Sequence, residues 1–124
     1  MGRLSTPIFN RTKETKLTEK ARICRSFWEK GLGFMFRCSI EPDEILLFVM
    51  GKETRLGSGV HMLFVFTPLA VIWLNRERRV VDKTFARPFV PWYFPSCPAV
   101  YLLEGPVELL SKVEVGDELA FEIP

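Results

Sequence analysis

The chain has 124 residues, of which 48% are hydrophobic and 26% charged, with a formal net charge of +2. This composition excludes intrinsic disorder, and the length suits one domain over residues 1–124 that buries its own core. Aromatic residues make up 13% of the chain and include 11 phenylalanines, which favours strands, because aromatic side chains pack well on a sheet.

The first third of the sequence predicts a strand, a helix and a second strand. Ile8–Lys13 is the first strand. Lys16–Lys30 has the composition of a helix, which Phe27 and Trp28 would anchor to the core. Ile45–Met50 is a continuous apolar run between turn residues, and this indicates a strand buried on both faces.

The middle of the sequence predicts three further strands. Val60–Phe66 is an apolar run that ends before Pro68, and a proline there indicates a sheet edge, a bulge or a crossover. Leu69–Leu74 and Val80–Phe85 flank a polar loop of hairpin length, so we expect them to pair antiparallel.

The last third alternates irregular and regular segments. Arg87–Pro98 contains four prolines and four aromatic residues, which excludes a regular central strand. Ala99–Glu104 predicts a strand, Pro106–Lys112 one or two helical turns, and Glu118–Ile123 a final strand. Many short strands with little helix predict an all-β domain, either a sandwich or a barrel.

The apolar runs are too short for a membrane-spanning helix. The longest, residues 60–74, covers 15 residues and contains His61 and Pro68, whereas a spanning helix needs about 20. The N-terminal stretch MGRLSTPIFN lacks the apolar segment of a signal peptide. We therefore expect a soluble, cytoplasmic protein with no membrane partner.

The cysteines and the single histidine do not form a ligand or disulfide pattern. Cys24, Cys38 and Cys97 are odd in number, and none has CxxC spacing. We expect three reduced and mostly buried thiols, no metal site and no cofactor. The alternative is a disulfide between Cys24 and Cys38, as found in hyperthermophile cytosol.

Charge is distributed unevenly along the chain. Residues 1–40 contain nine Lys and Arg against three Glu, whereas residues 88–124 contain one Lys against six acids. Such asymmetry is compatible with a basic face for an acidic partner. Alternatively, the N-terminal bases pair with the C-terminal acids in the folded sheet.

Three segments, taken in order, resemble an uncharacterised family, domain-of-unknown-function family 192. They are GLGFMFR at residues 31–37, HMLFVFTPLAVIWLNRERRVVD at residues 61–82 and AVYLLEGPVELLSKVEVGDEL at residues 99–119. The resemblance implies a compact, jelly-roll-like all-β domain with one or two short helices. It implies no reaction, substrate or cofactor.

The sequence departs from the family pattern beside Pro68. The family's Pro-Leu-Asp is Pro68-Leu69-Ala70 here, and its Lys-Asn-Thr is replaced by Leu63-Phe64-Val65. If those polar residues form a family site, this chain has lost much of it. If they only join strands, apolar packing has replaced them.

Three polar residues in apolar surroundings are candidates for a ligand site. Arg37 could hold a carboxylate or phosphate through two hydrogen bonds, or it could be a structural arginine paired with an acid such as Glu104. His61 could act as a base or ligand, or be a hydrogen-bonded, half-buried strand residue. Glu104, at a strand end, could be a catalytic carboxylate or form an ion pair.

The proline-rich segment combines aromatic residues with nearby bases. Such combinations suit single-stranded nucleic acid, which contacts cations through phosphates and aromatic rings through bases. Alternatively, the segment is a structural lid over one end of the domain. The aromatic candidates are Phe89, Trp92, Tyr93 and Phe94, and the basic candidates are Arg76, Arg78, Arg79, Lys83 and Arg87.

The sequence leaves three hypotheses about function. The first is a non-catalytic domain that binds a small molecule or a protein near Arg37, His61 and Trp92-Tyr93. The second is an enzyme on a small anionic substrate, with Arg37 as anchor and His61 or Glu104 as acid or base. The third is a nucleic-acid-binding module. The oligomeric state is open, although an exposed edge near Pro68 could pair with a second chain.

Overall fold

The computed structural model describes residues 4–25 and 33–124. Within these ranges it is almost entirely β, as the sequence predicts, with one 3-10 helix at Val107–Ser111. The strands are β1 Ser5–Asn10, β2 Thr15–Cys24, β3 Leu46–Thr54, β4 Leu69–Leu74, β5 Val80–Ala86, β6 Ala99–Gly105 and β7 Leu119–Ala120.

The strands form one sheet in the order β5-β4-β6-β3-β2-β1-β7. All neighbours pair antiparallel except β2 and β3, which are parallel. The two outermost strands meet at one point: Val80 N–H donates to the Asp117 carbonyl at 2.9 Å, and Leu119 N–H to the Arg78 carbonyl at 3.0 Å. The start of β5 is therefore hydrogen-bonded to the segment that leads into β7.

Side chains on the two faces of the sheet pack into separate apolar clusters. Alternate residues of a strand point to opposite faces, so Ala70 and Ile72 of β4 join one cluster while Leu69 and Trp73 join the other. Every side chain of β4 is buried. The start of β3 is likewise buried on both faces, as the apolar run from Ile45 predicts.

The predicted helix at Lys16–Lys30 is wrong over its described part, which is strand β2. Lys, Glu, Ala and Arg favour a helix locally, but β2 lies between β1 and β3 and pairs with both. Two register shifts against β1 leave adjacent residues Leu17 and Thr18 both buried, which obscures the alternating pattern. Residues 26–30, with the proposed anchors Phe27 and Trp28, lie outside the described residues.

The predicted strand Val60–Phe66 is also wrong. Only Val60 pairs, in an isolated bridge with Tyr93, and the chain then turns at Leu63-Phe64, where Phe64 has φ 59°. A positive φ is incompatible with a continuous strand. Pro68 directly precedes β4, which is paired on both sides, so the suggested exposed edge there is wrong as well.

The remaining elements agree with the sequence more closely. β4 and β5 form the predicted hairpin, β6 extends the predicted strand to Gly105, and the 3-10 helix follows Pro106. The first strand begins at Ser5 and ends at Asn10, three residues before its predicted end, because residues 11–14 turn into β2. The last predicted strand contracts to Leu119–Ala120.

The alternative reading of the charge distribution, pairing within the sheet, is confirmed. Because β1 lies beside β7, Arg11 approaches Glu118 to 3.4 Å and Lys13 approaches Asp117 to 3.4 Å. Two N-terminal bases therefore pair with C-terminal acids along this edge.

All three cysteines lie in the described ranges, and no disulfide joins them. Cys24 is buried, whereas Cys38 and Cys97 are exposed, so the prediction that the thiols are mostly buried is wrong. Cys38 and Cys97 lie in irregular segments rather than in strands, and such connections run over the surface.

Candidate functional site

A cavity of about 320 Å³ opens on the sheet face that carries Trp73. Its walls are mainly apolar and come from five parts of the chain: the segment after residue 32, β3 with the loop that follows it, the turn after Val60, the proline-rich segment, and β6. The described lining residues are Gly33, Phe34, Met35, Phe48, Met50, Leu56, Gly57, Gly59, Val60, His61, Val65, Trp92, Leu102 and Glu104.

Glu104 is the acidic group of this pocket. It lies on β6, between Leu46 of β3 and Val71 of β4, and is only 7% exposed. No hydrogen bond or ion pair among the described residues involves its carboxyl group. Burial raises the pKa of Glu104 to about 8, and no neighbouring charge contributes. The group is therefore mainly a neutral carboxylic acid near pH 7.

The backbone at Gly33 passes close to this carboxyl group. Gly33 has φ +43°, and a Cβ at that position would stand 3.2 Å from Oε1 of Glu104. A larger residue would therefore be strained and would press on the carboxyl oxygen. The close approach fixes one wall of the pocket directly beside Glu104.

Asp117 shows how this protein satisfies a buried carboxylate elsewhere. Burial alone would raise its pKa, but hydrogen bonds from Asn10 Nδ2 at 2.9 Å, from the Glu114 N–H at 2.9 Å and from Lys13 lower it. Asp117 therefore remains ionised inside a polar cluster. Glu104 has no comparable set of donors, so the pKa values of the two buried carboxyl groups shift in opposite directions.

His61 and Trp92 form the polar and aromatic side of the pocket. His61 is half-buried, and its Nδ1 accepts a hydrogen bond from the Leu63 N–H at 3.2 Å. In the neutral ring this leaves the proton on Nε2. The Trp92 ring lies edge-on to His61 at 5.8 Å and stacks on Phe94 at 5.9 Å. Trp92 is 56% exposed, so it lies at the rim.

Arg37 lies outside the pocket lining. Its guanidinium donates two hydrogen bonds of 2.8 Å to the carboxylate of Glu44 and a third to the Ser39 carbonyl. The bond to Arg37 lowers the pKa of Glu44 despite partial burial. The suggested partner Glu104 is wrong, because Glu44 occupies the bidentate position. Arg37 also lies 5.6 Å from the ring of Phe34, a pocket wall.

Tyr93 supports the pocket without lining it. Its backbone pairs with Val60 through hydrogen bonds of 2.8 and 2.7 Å, and its hydroxyl accepts a hydrogen bond from the Arg87 N–H at 2.8 Å. The candidates Glu104, His61 and Trp92 are thus brought together, whereas Arg37 and Tyr93 lie beside them.

The five candidate bases do not form one continuous surface. Arg78 lies 4.2 Å from the Phe121 ring, Arg79 binds the Gly116 carbonyl, and the ammonium of Lys83 donates to the carbonyls of Leu110 and Val113. Those three side chains therefore hold the β5–β7 junction together. Arg76 and Arg87 are exposed, but they lie at opposite ends of β5, roughly 20 Å apart at the usual strand rise.

The proline-rich segment leaves three of its four aromatic rings exposed, and only Tyr93 packs against the apolar cluster. Phe89, Trp92 and Phe94 are all exposed, and Phe66 lies 5.4 Å from Phe89. Phe36 and Phe64 are also exposed and stack at 5.6 Å. Phe36, Phe64 and Phe89 each have positive φ, a costly conformation for a bulky residue.

The position where the family has an aspartate lies away from the pocket. Ala70 is fully buried in the opposite apolar cluster, together with Ile72 and Leu103. Of the three residues that replace the family's polar triplet, Val65 lines the pocket, whereas Leu63 and Phe64 are exposed.

Several residues that line the pocket could not be predicted from the sequence. Gly33, Phe34, Phe48 and the loop 56–59 were not singled out, because apolar residues and glycines carry no chemical signal before the fold brings them together. The partner of Arg37, Glu44, was also missed. Glu44 lies seven residues after Arg37, across a turn, and no sequence motif marks such a pair.

A second depression of about 900 Å³ lies over β1 and β7. Several of its charged groups pair with one another or with near neighbours, as in Arg11–Glu118 and Lys16–Glu19. In residues 4–25 and 33–124 no three His, Cys, Asp or Glu side chains cluster to hold a metal ion. The same ranges contain no helix long and apolar enough to cross a membrane.

Comparison with solved structures supports the fold. A protein of unknown function from Novosphingobium aromaticivorans aligns with a TM-score of 0.79 at 19% identity, over 95% of this chain and 84% of that one. A Sinorhizobium meliloti protein, provisionally described as a transcription regulator, aligns with a TM-score of 0.77 at 18% identity, over 98% and 96%. At these identities the likeness concerns the fold alone.

Sequence comparison identifies the family. The profile of DUF192, described as Uncharacterized ACR, matches residues 8–121. A UPF0127 protein of Pyrococcus furiosus is 41% identical over 115 residues, which cover 90% of this chain and 95% of that protein. Another, from Pyrococcus abyssi, is 39% identical over 90% and 94% of the two chains. The chain therefore belongs to the uncharacterised DUF192 family.

Proposed function

We propose that this protein is a non-catalytic, cytoplasmic domain that binds a small molecule in the pocket of Glu104, His61 and Trp92. The observation that carries the proposal is the Glu104 carboxyl group, which lines a mainly apolar cavity and accepts no hydrogen bond from the described residues. A buried polar group that lacks a hydrogen bond is costly to the folded state. A ligand that supplied the missing contact would recover that cost.

The shape and composition of the cavity fit this role. Small-molecule sites are typically apolar concavities of about 300–1,000 Å³ with a few polar groups that fix the orientation of the ligand. This pocket lies at the lower end of that range, with one carboxyl group and one imidazole. Exposed cysteines without a disulfide support the cytoplasmic location.

The arrangement favours binding over catalysis. The second hypothesis needs an anion anchor beside an acid or base, but the Arg37 guanidinium is held by Glu44 outside the lining residues. No hydrogen bond joins His61 to Glu104. Neither group therefore orients the other for proton transfer.

A thermal-unfolding screen against metabolite classes tests the proposal. A ligand present at 100 times its Kd should stabilise the folded state by about 2.7 kcal/mol, a shift of several degrees in Tm. We expect the shift to fall strongly in Trp92→Ala, because the rim contact is lost. Phe89→Ala is the matched control, since Phe89 is equally exposed but does not line the pocket.

Two results would count against the pocket as the binding site. One is a ligand-induced shift that survives in Trp92→Ala and in Glu104→Gln but disappears in Phe89→Ala. The other is the absence of any shift across neutral, cationic and anionic ligand classes at millimolar concentration.

A further inference from the structure

We propose that the ligand of this pocket is a small organic cation: a protonated amine on a compact apolar body, with its ammonium group seated against the Glu104 carboxylate. The inference rests on the proposed function and names the ligand class for the same pocket. It is argued from the apolar residues that surround Glu104 and from the lack of a lysine, an arginine or a hydrogen-bond donor to its carboxyl group among the described residues that line the pocket.

The strands around Glu104 offer it no donor. Its cross-strand neighbours are Leu46 and Val71, both apolar, and Gly33 covers one oxygen. No described side chain donates a hydrogen bond to the carboxyl group. An ammonium group provides three N–H donors and a positive charge, which together satisfy a carboxylate in a dry site.

The remaining walls suit the same ligand. Phe34 and Phe48 are buried aromatic walls, and Trp92 stands at the rim. Aromatic faces attract cations and also pack well against an apolar body. An anionic ligand would place like charge beside Glu104 or keep it neutral, with no lining arginine or lysine to compensate.

The other described charges near this face do not pair with Glu104. Arg37 approaches the Phe34 ring but is paired with Glu44. Arg22, one strand beyond Leu46 on β2, acts electrostatically on Glu44, and its Nε atom is buried without a hydrogen-bond partner. Neither contributes to the state of Glu104, which reflects burial alone. His61 is the other titratable side chain among the described lining residues.

Binding should therefore be coupled to the loss of one proton. Glu104 is neutral in the empty pocket near pH 7, and it must release its proton to solvent when the ammonium group binds. With its pKa at about 8, the affinity for an amine should rise roughly tenfold between pH 7 and pH 9, and it should fall once the amine itself loses its proton above about pH 10. This range avoids the ordinary titration of histidine.

Isothermal titration calorimetry with matched compounds tests the inference. The probes are butylamine, cyclohexylmethylamine and phenethylamine, each compared with the alcohol and the carboxylate of the same shape. We expect an amine to bind at least tenfold more tightly than its alcohol, and about one proton to be released, measured in buffers of different ionisation enthalpy. Glu104→Gln should weaken amine binding at least tenfold, whereas the exposed Glu108→Gln should not.

The alternative outcomes separate the two proposals. If an alcohol or a carboxylate binds in a Trp92-dependent manner and the amines do not, the cation inference is wrong and the ligand-binding proposal stands. Amine binding that is unchanged between pH 7 and pH 9 or in Glu104→Gln also overturns the inference. If no amine binds at millimolar concentration, the inference is wrong, and the wider screen decides the proposed function.

Discussion

Glu104→Gln is expected to make the protein more stable at neutral and alkaline pH. The folded-state pKa of Glu104 is raised from 4.5 to about 8, so the folded protein keeps a proton that the unfolded chain loses. Stability is then fully present below about pH 4.5 and decreases as the pH rises towards 8. The slope is about 1.4 kcal/mol per pH unit, which gives a loss of up to about 4 kcal/mol.

The glutamine variant cannot ionise at position 104, so the difference in unfolding free energy between the two proteins isolates the cost of ionising Glu104. Urea unfolding at a series of pH values should give similar free energies for both proteins at pH 4.5 and should favour the variant by up to about 4 kcal/mol at pH 8. Glu108→Gln serves as control, because Glu108 is exposed, and its curve should follow that of the parent protein. A variant less stable than the parent at pH 8 would mean that the carboxylate has a partner.

Trp73→Ala is expected to cost about 3–5 kcal/mol in the free energy of unfolding. Trp73 is 1% exposed and belongs to the apolar cluster on the face of the sheet that carries the pocket. Its indole Nε1 also donates a 2.7 Å hydrogen bond to the Ser58 carbonyl, in the loop that supplies Leu56, Gly57 and Gly59 to the pocket. The substitution therefore removes core volume and also releases one pocket wall.

Trp73→Phe separates these two effects. Phenylalanine keeps most of the apolar contact but leaves the Ser58 carbonyl without its donor, so we expect a smaller loss of about 1–3 kcal/mol. Chemical unfolding measures both costs. Ligand binding by the phenylalanine variant then reports on the loop alone. If Trp73→Ala costs less than about 1 kcal/mol, the packing described for β4 is incorrect.

The strands with clear apolar patterns could be predicted from the sequence, whereas β2 could not. In β4 and the start of β3 the runs are short, apolar and bounded by turn residues. In β2 the residues prefer a helix, and pairing with β1 and β3 overrides that preference. The turn at Leu63-Phe64 was missed because the apolar residues there face solvent rather than a core.

The chemistry of the candidate site could be predicted in part. Glu104 and His61 stood out as polar residues in apolar surroundings, and Trp92 as one of the aromatic residues of the proline-rich segment. Their convergence could not be predicted, since it depends on β6 lying between β3 and β4 and on Tyr93 pairing with Val60. The role of Arg37 was open for the same reason: only the folded chain shows that Glu44 holds it.

The most direct test is a carbon-13 NMR titration of the Glu104 side-chain carboxyl group, assigned by comparison with Glu104→Gln. We expect a midpoint near pH 8 for this carbon, because burial favours the neutral acid. A midpoint in the usual range of glutamate, near pH 4.3, would show that the group is hydrated or paired. That result would contradict the observation on which both the proposed binding function and the cationic ligand depend.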